Sequence, residues 1–328
     1  MNRRDVLKVL GAGCWGWGGV PIRRARNDVF VERWSWAMGQ AVHVMLFAGS
    51  ERAGLDACAA ALAELRRVES RLTLFDAASD LCELNRCAGR TIMRADADLR
   101  AVLTLANRFK AITGGAFDVA VEPLMRAWGF HRPRSAAPAA AELREARAAV
   151  AAAVVELDGD RVRLPNAHTQ LDFGGIGVGY GIDRALGMLR ARGVTRAFVD
   201  VSGDVAAIGA PPGEAGWLVE IADPRRAGRS IAVTRLRDAA LATSANTESV
   251  IRYASLVVGH VMDPATGWPA RALTQATVVA RSATAADALS TAMLVAGREP
   301  DGVVRSWTAG RVGGQQSRGP HRRTRLPD

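Results

Sequence analysis

Hydrophobic residues recur at every third or fourth position in several long stretches of the chain. Between Leu55 and Leu72 this spacing places apolar residues on one side and most charged residues on the other, which predicts an amphipathic helix. The same pattern predicts further helices over Asp98–Thr113, Ala139–Ala153, Asp183–Arg192 and Thr284–Ala296. Long helices are therefore expected to form a large part of the fold.

Shorter apolar runs between these helices predict β-strands. The runs cover Gln40–Phe47, Val154–Leu157, Arg161–Leu164, Ala197–Val201, Trp217–Ile221, Val257–Met262 and Ala276–Ala280. Asp158 and Gly159 lie between two of these runs and are typical of a hairpin turn. Strand pairs joined by short turns and mixed with long helices indicate an α+β fold class rather than a doubly wound parallel sheet.

The composition fits one large domain between two basic ends. The chain has 328 residues, of which 49% are hydrophobic and 23% charged. We divide it into a signal segment (residues 1–28), a single domain (29–302) and a basic tail (303–328), which lacks periodicity and is expected to be loose. The net charge of +10 lies almost entirely in the two ends. Since the domain itself is nearly neutral, nucleic acid is not expected as a partner.

The first residues have the pattern of an export signal. Residues 2–8 read NRRDVLK, a twin-arginine pattern, and the glycine-rich apolar run over 9–22 is too short to span a bilayer as a stable helix. A frayed basic terminus is the alternative, because no clear cleavage site follows. The sequence predicts export to the periplasm by the twin-arginine route, with membrane association only through a retained signal or a lipid anchor.

A glycine-rich segment precedes one of the predicted helices. Residues 171–180 read LDFGGIGVGY, and glycines before a helix that starts near Gly181 allow backbone N–H groups to approach an anion. The segment lacks the acidic partner of a dinucleotide-binding fold and the lysine of a P-loop. A tight turn that packs a helix on a sheet is the alternative interpretation.

Two further segments carry candidate chemistry. Asp287 and Thr291 lie one helical turn apart, and a carboxylate with a hydroxyl on a face of small residues suits a hard cation such as Mg²⁺. His260 is followed by Asp263 in a Pro/Gly turn, and a histidine there can transfer a proton. Both have structural alternatives, namely a helix N-terminus with a back-bonded threonine and a simple turn.

In this order, the segments resemble the ApbE family of FAD:protein FMN transferases. The resemblance is carried by residues 37–39, 68–72, 79–85, 114–118, 128–130, 171–183, 201–204, 242–244, 260–267 and 286–291. It implies a single α+β domain with FAD in a central cleft. The twin-arginine start resembles the branch of the family that serves nitrous-oxide reductase maturation.

The resemblance also implies a reaction and the residues that perform it. FMN would pass from FAD to a Thr or Ser hydroxyl of a partner flavoprotein, a subunit of a membrane redox complex, in a Mg²⁺-dependent step that releases AMP. The residues implied to bind FAD are Met38, Phe75, Ala116, Phe117, Asp118, Asp172, Val178 and Val261. The metal would be held by the Gly175 carbonyl, Asp287 and Thr291. His260, together with Asp263, would accept the proton of the attacking hydroxyl.

Several positions depart from the family pattern. Val178 stands where lysine is common, and Gln40, Ala120 and Ala245 replace a threonine, a threonine and a glycine. The sequence after Val304 does not resemble the closing strands of the family, so the sheet is expected to lack an edge. These departures leave an alternative open: an exported FAD-binding protein, or a pyrophosphatase that releases FMN and AMP from FAD without a protein acceptor.

Overall fold

The computed structural model describes residues 28–247, 249–254 and 256–309. Its helices are α1 (Glu51–Leu72), α2 (Asp80–Cys87), α3 (Ala97–Ile112), α4 (Glu122–Ala127), α5 (Ala140–Ala151), α6 (Gly177–Ala191) and α7 (Ala283–Ala296). Its strands are β1 (Val29–Ala37), β2 (Gln40–Ala48), β3 (Met93–Arg94), β4 (Glu156–Asp158), β5 (Arg161–Arg163), β6 (Ala197–Val201), β7 (Asp204–Ile208), β8 (Trp217–Ala222), β9 (Ser230–Leu236), β10 (Ala240–Ala245), β11 (Val250–Tyr253), β12 (Leu256–Gly259), β13 (Gln275–Ala280) and β14 (Arg305–Ala309).

A seven-stranded antiparallel sheet organises the fold, with the order β1-β2-β6-β7-β10-β13-β14. Side chains alternate between its two faces, and both faces are buried. In β2, Val44 joins the core formed with the helices, whereas Met45 joins the core formed with the β8–β9 hairpin. The predicted α+β class is confirmed, and β2 is apolar on both sides because each face of the sheet is covered.

Helix α6 begins at Gly177, not near Gly181 as predicted, so the glycines at 177, 179 and 181 belong to the helix. Close packing explains Gly179. A Cβ on Gly179 would lie 2.3 Å from the Ala283 carbonyl oxygen at the start of α7. Asp183 then accepts hydrogen bonds from the backbone N–H groups of Ala283 (2.8 Å) and Thr284 (2.9 Å), which ties α6 to α7.

Several strands were not predicted from the sequence pattern. Strand β10 consists mainly of small residues, and β7 begins at an aspartate and contains two alanines, so neither has the alternating apolar pattern of a typical strand, and their place in the sheet is set by their neighbours. Strand β1 exposes Trp34 and Trp36 on an edge, so its pattern is not that of a buried strand. The predicted strand over Val257–Met262 ends at Gly259, and Met262 forms an isolated bridge with Pro269.

The prediction that the sheet lacks its last edge is wrong. Strand β14 pairs antiparallel with β13, so part of the expected loose tail is an edge strand. Ser306 on β14 is buried and donates a hydrogen bond to Glu299 Oε2 (2.5 Å). Trp307 packs against the core on the hairpin side. Residues 310–328 lie outside the described part of the chain.

The predicted export signal also lies outside the described residues, except for Asp28. Asp28 forms an ion pair with Arg196 just before β6. Within the described ranges, no helix combines the length and the hydrophobicity that a bilayer-crossing helix requires.

Candidate functional site

A cleft of about 200 Å³ lies where the glycine segment meets α7, β10 and the turn after β12. It brings together most of the site residues predicted from the sequence. Those that line it are Ala116, Phe117, Asp118, Asp172, Gly175, Val178, His260, Val261, Asp287 and Thr291. Residues far apart in the chain thus share one concave surface, which is the usual form of a small-molecule site.

Asp287 is a buried carboxylate without a basic partner among the described residues. Its Oδ2 accepts a hydrogen bond from the Gly179 N–H (3.0 Å), an approach that requires the absence of a side chain on Gly179. Burial raises the pKa of Asp287 to about 7, and the nearby Asp183 acts in the same direction, whereas the Gly179 hydrogen bond opposes them. A cation beside Asp287 would remove this cost.

Hydroxyl groups line the same cleft as this carboxylate. Ser244 Oγ lies 3.1 Å from Thr291 Oγ1 and 2.8 Å from Ser290 Oγ. A Cβ on Gly175 would lie 3.0 Å from Thr291 Oγ1, so the Gly175 backbone lies directly against this hydroxyl. We call Asp287, Thr291, Ser244 and Gly175 the hydroxyl cluster. Its oxygen donors are those that hard divalent cations prefer. No group of three or more His, Cys, Asp or Glu suited to a metal occurs in the described ranges.

His260 is half-buried at the cleft, and its ring lies edge-on to Phe130, with centroids 6.5 Å apart. Within the described residues, its buried Nδ1 has no hydrogen-bond partner. Burial lowers the pKa of His260, and the Ser249 backbone and the Asp172 charge oppose this only in part. A neutral imidazole near neutral pH is suited to accept a proton.

Asp172 lies between two histidines. Its Oδ1 accepts a hydrogen bond from the Gly174 N–H (2.7 Å), and its Oδ2 lies 3.5 Å from His131 Nε2. Burial raises the pKa of Asp172, while the charges of His131 and His260 act to lower it. We call Asp172, His131 and His260 the histidine cluster. Sequence reasoning missed His131, because a lone histidine after an aromatic turn has no distinctive spacing.

The remaining predicted residues of the cleft form its wall. Asp118 is bound through Oδ2 to Lys110 Nζ (2.7 Å), and its Oδ1 accepts a hydrogen bond from the Ala120 N–H (2.9 Å). Both oxygens of its carboxylate therefore bind neighbouring residues and stabilise the wall. Val261 donates its N–H to Asn246 Oδ1 (3.2 Å), and Val178 contributes an apolar surface from α6.

Met38 and Phe75 do not line this cleft. Met38 has a positive φ of 57° at the β1–β2 turn and packs on Gly181, so the neighbouring Gln40 lines the cleft instead. Phe75 is 86% exposed and lines a second cavity of about 1300 Å³. Its ring lies edge-on to His131, with centroids 6.0 Å apart, so it contacts the histidine cluster from outside the cleft.

Asp263 is also placed differently from the prediction. Its Oδ1 accepts a hydrogen bond from the Ala265 N–H (2.9 Å), and its Oδ2 accepts one from Thr266 Oγ1 (2.8 Å). Both oxygens therefore stabilise the turn after β12, as aspartate commonly does in turns. The carboxylate is occupied locally and is poorly placed to accept a substrate proton.

Ser244 is a further residue that sequence reasoning left without a role. It lies on β10, a strand that the pattern does not predict, and its hydroxyl faces the α7 hydroxyls. The sequence did point to this region, because residues 242–244 are one of the segments that resemble the ApbE family. Without the strand, however, the direction of the side chain could not be assigned.

Comparison with known proteins identifies the family to which this chain belongs. The ApbE family model matches residues 38–305, so the chain belongs to the ApbE family. An FAD:protein FMN transferase of Treponema pallidum (strain Nichols) is 32% identical over 242 residues, which are 67% of this chain and 66% of that protein, just under two thirds of its length. The family predicted from the sequence is confirmed.

Solved structures agree with the fold. The ApbE protein of Thermotoga maritima MSB8 superposes with a TM-score of 0.77 at 28% identity, over 85% of this chain and 94% of that one. The apo flavinyl transferase ApbE of Pseudomonas stutzeri has a TM-score of 0.74 at 26% identity, over 86% of this chain and 91% of that one.

Proposed function

We propose that this chain transfers FMN from FAD to a Thr or Ser hydroxyl of a partner protein, with release of AMP. The transferase names of its relatives support this class of reaction. The observation that carries the proposal is the presence of both clusters in one cleft. The hydroxyl cluster suits a cation and a pyrophosphate, and the histidine cluster supplies a neutral imidazole for the hydroxyl proton.

The hydroxyl cluster fits Mg²⁺. Asp287 is buried and has no basic partner in the described ranges, and Thr291, Ser244 and Gly175 line the same cleft. In our proposal, Asp287, Thr291 and the Gly175 carbonyl hold the ion. When bound, Mg²⁺ supplies charge neutralisation for the pyrophosphate of FAD.

The reaction we propose is a phosphoryl-type displacement. The acceptor oxygen forms a bond to the FMN-side phosphorus, and the bond from that phosphorus to the bridging oxygen breaks, so that AMP leaves. The acceptor proton moves to His260, which is neutral because burial lowers its pKa. The cleft walls hold the attacking and leaving oxygens in line, which is the main demand of this chemistry.

The proposal extends to the place of action and the partner. The twin-arginine sequence at residues 2–8 supports export to the periplasm. An exported flavin transferase would modify a flavoprotein subunit of a membrane redox complex, and the resemblance of the signal favours the branch linked to nitrous-oxide reductase maturation.

A second candidate function is FAD binding, or FAD hydrolysis to FMN and AMP, without a protein acceptor. One observation favours it. Val178 presents an apolar side chain to the cleft at the position where the family commonly has lysine, so this chain has one cation fewer beside the phosphates. Water in place of the acceptor hydroxyl would then give hydrolysis by the same displacement.

Mass spectrometry separates these functions. A peptide with an Asp-x-x-Thr-Gly-Ala-Thr pattern is incubated with the protein, FAD and Mg²⁺, beside the Asp287→Ala variant and the Asp263→Asn variant as a matched control. The proposal expects FMN on the acceptor threonine, absent with Asp287→Ala and retained with Asp263→Asn. Free FMN and AMP with an unmodified peptide would indicate the hydrolase, and bound FAD without turnover would indicate a binding protein.

A further inference from the structure

His131 lies between two carboxylates, the buried Glu122 and the largely buried Asp172, at the boundary of the cleft and the larger cavity. Its Nε2 lies 3.5 Å from Asp172 Oδ2, and its Nδ1 lies 3.8 Å from Glu122 Oε1. Glu122, on α4, is held in turn by Arg126 Nη2 at 2.8 Å. Positive and negative groups therefore alternate from Arg126 through Glu122 and His131 to Asp172.

Aromatic contacts fix this imidazole. The His131 ring lies edge-on to Phe75, with centroids 6.0 Å apart, and the preceding Phe130 lies edge-on to His260, with centroids 6.5 Å apart. Since Phe130 and His131 are consecutive, one short segment contacts both His260 and Asp172. A displacement of this segment would therefore change the position of the Asp172 carboxylate relative to the proton acceptor.

The two histidines have opposite electrostatic surroundings. Burial acts to lower the pKa of His131, and Arg126 acts in the same direction, but contacts with Glu122 and Asp172 outweigh both and raise it. His260 lacks such a pair of carboxylates, and burial lowers its pKa. The pKa of His131 is thus raised and that of His260 lowered, so at a given pH His131 carries the larger share of positive charge and His260 is the better proton acceptor.

We propose that His131 is a positioning residue for the transfer: its cationic imidazole keeps the Asp172 carboxylate ionised and oriented, and this carboxylate stabilises the imidazolium that forms when His260 accepts the acceptor proton. This inference rests on the proposed function and deepens it. A buried carboxylate that supports an imidazolium is an established device in acid–base catalysis. The Asp172 carboxylate lies largely out of contact with solvent, so a neighbouring cation is needed to keep it charged.

The sign of the effect follows from this arrangement. Burial already raises the pKa of Asp172 with His131 in place, and without the cation at position 131 one of the charges that oppose burial is lost, so Asp172 binds its proton up to a still higher pH. The active form, with Asp172 ionised, then appears only at higher pH. The acid limb of the pH profile therefore shifts upward, by about one to three pH units for the loss of an opposite charge at this distance.

The test compares His131→Gln, a neutral side chain, with His131→Lys, which retains a cation. FMN transfer to the acceptor peptide is measured as kcat/KM from about pH 5 to pH 9. For His131→Gln we expect the upward shift of the acid limb and a loss of about tenfold or more below neutral pH, with recovery at alkaline pH. For His131→Lys we expect the acid limb near its wild-type position.

A second readout does not depend on transfer. The carbon-13 signal of the Asp172 carboxyl group, assigned by its loss in Asp172→Asn, reports the titration of Asp172 directly. We expect its midpoint to rise in His131→Gln and to return in His131→Lys. An unchanged midpoint in His131→Gln would overturn the inference, as would equal losses of activity at every pH, because a residue that only fills space has that effect. If the wild-type protein transfers no FMN, the proposed function fails, and the titration still decides the coupling of His131 to Asp172.

Discussion

Two aspartates line the cleft, the buried Asp287 and the largely buried Asp172, and their surroundings differ. Asp172 lies between two imidazoles, so the protein itself provides a positive charge beside it. Asp287 has hydroxyls, a backbone N–H and a second aspartate nearby, and no basic side chain pairs with it in the described ranges. Burial raises the pKa of both.

The difference separates two functions within one site. A carboxylate with a built-in cation can remain ionised in the free protein, where it supports proton transfer. A carboxylate without one is stable only when protonated or when an external cation binds. The carboxylate of the hydroxyl cluster therefore needs a cation from a ligand, whereas the histidine cluster contains its own cation.

The most disruptive change is Asp287→Asn, which removes the only carboxylate of the hydroxyl cluster. We expect FMN transfer to fall by roughly 10³-fold or more, because several kcal/mol of charge stabilisation by the metal are lost. Transfer is measured by intact mass of the acceptor at saturating FAD. Transfer that persists in Asp287→Asn with unchanged Mg²⁺ dependence would contradict the role of the hydroxyl cluster.

The corresponding change in the histidine cluster is His260→Gln. We expect transfer to fall by about 10²- to 10⁴-fold, the range for a positioned proton acceptor. Because His260 is not expected to bind the phosphates, the affinity for FAD, measured by flavin fluorescence quenching, should change little. A variant that retains most of its activity would assign proton transfer to another group.

A stability comparison tests the packing on which Asp287 depends. In Gly179→Ala, the new Cβ would lie 2.3 Å from the Ala283 carbonyl oxygen, so we expect a loss of about 3 kcal/mol in the free energy of unfolding. Gly187 lies on the same helix with nothing within 4 Å, so Gly187→Ala should stabilise the protein by about 0.5–1 kcal/mol. Urea unfolding measures the free energy of unfolding of both variants. Equal effects would show that α6 and α7 do not pack as described.

The smallest effect is expected for Asp263→Asn. Its carboxylate stabilises the turn after β12, so the loss of these hydrogen bonds should cost about 1 kcal/mol of stability and change transfer by about twofold or less. The same kinetic assay checks this. A loss as large as that of His260→Gln would restore Asp263 as a partner in proton transfer.

Local spacing was sufficient to predict the hydroxyl cluster in part. Asp287 and Thr291 are four residues apart in a clear helical pattern, and helix geometry alone places them on one face. The interpretation of the glycine segment was incomplete because it depends on a contact between residues that are distant in sequence. Gly179 is explained by the carbonyl of Ala283, which is distant in sequence, and no local pattern reveals such an approach.

The histidine cluster shows the same limit. His260 was found through its turn, but its partner Asp172 comes from another segment, and His131 from a third. Proximity in sequence suggested that Asp263 shares the role of His260, whereas both of its oxygens bond within its own turn. Strand β10, rich in small residues, gave no signal for the direction of Ser244.

Thermal unfolding of the metal-free protein from about pH 4 to pH 8, with and without Mg²⁺, tests the incomplete hydroxyl cluster most directly. Burial raises the pKa of Asp287 from 3.8 to about 7, so the folded state holds a proton that the unfolded state releases. Stability should therefore fall as the pH rises through this window, by up to about 4 kcal/mol. In Asp287→Asn this fall should be smaller, because Asp172 and Asp183, whose pKa burial also raises, still contribute to it. Above pH 7, Mg²⁺ should stabilise the wild type, by about 2.7 kcal/mol at a hundredfold excess over its Kd, and not the variant. The same pH dependence and the same Mg²⁺ effect in both proteins would contradict the assignment of Asp287 as the residue that a cation completes.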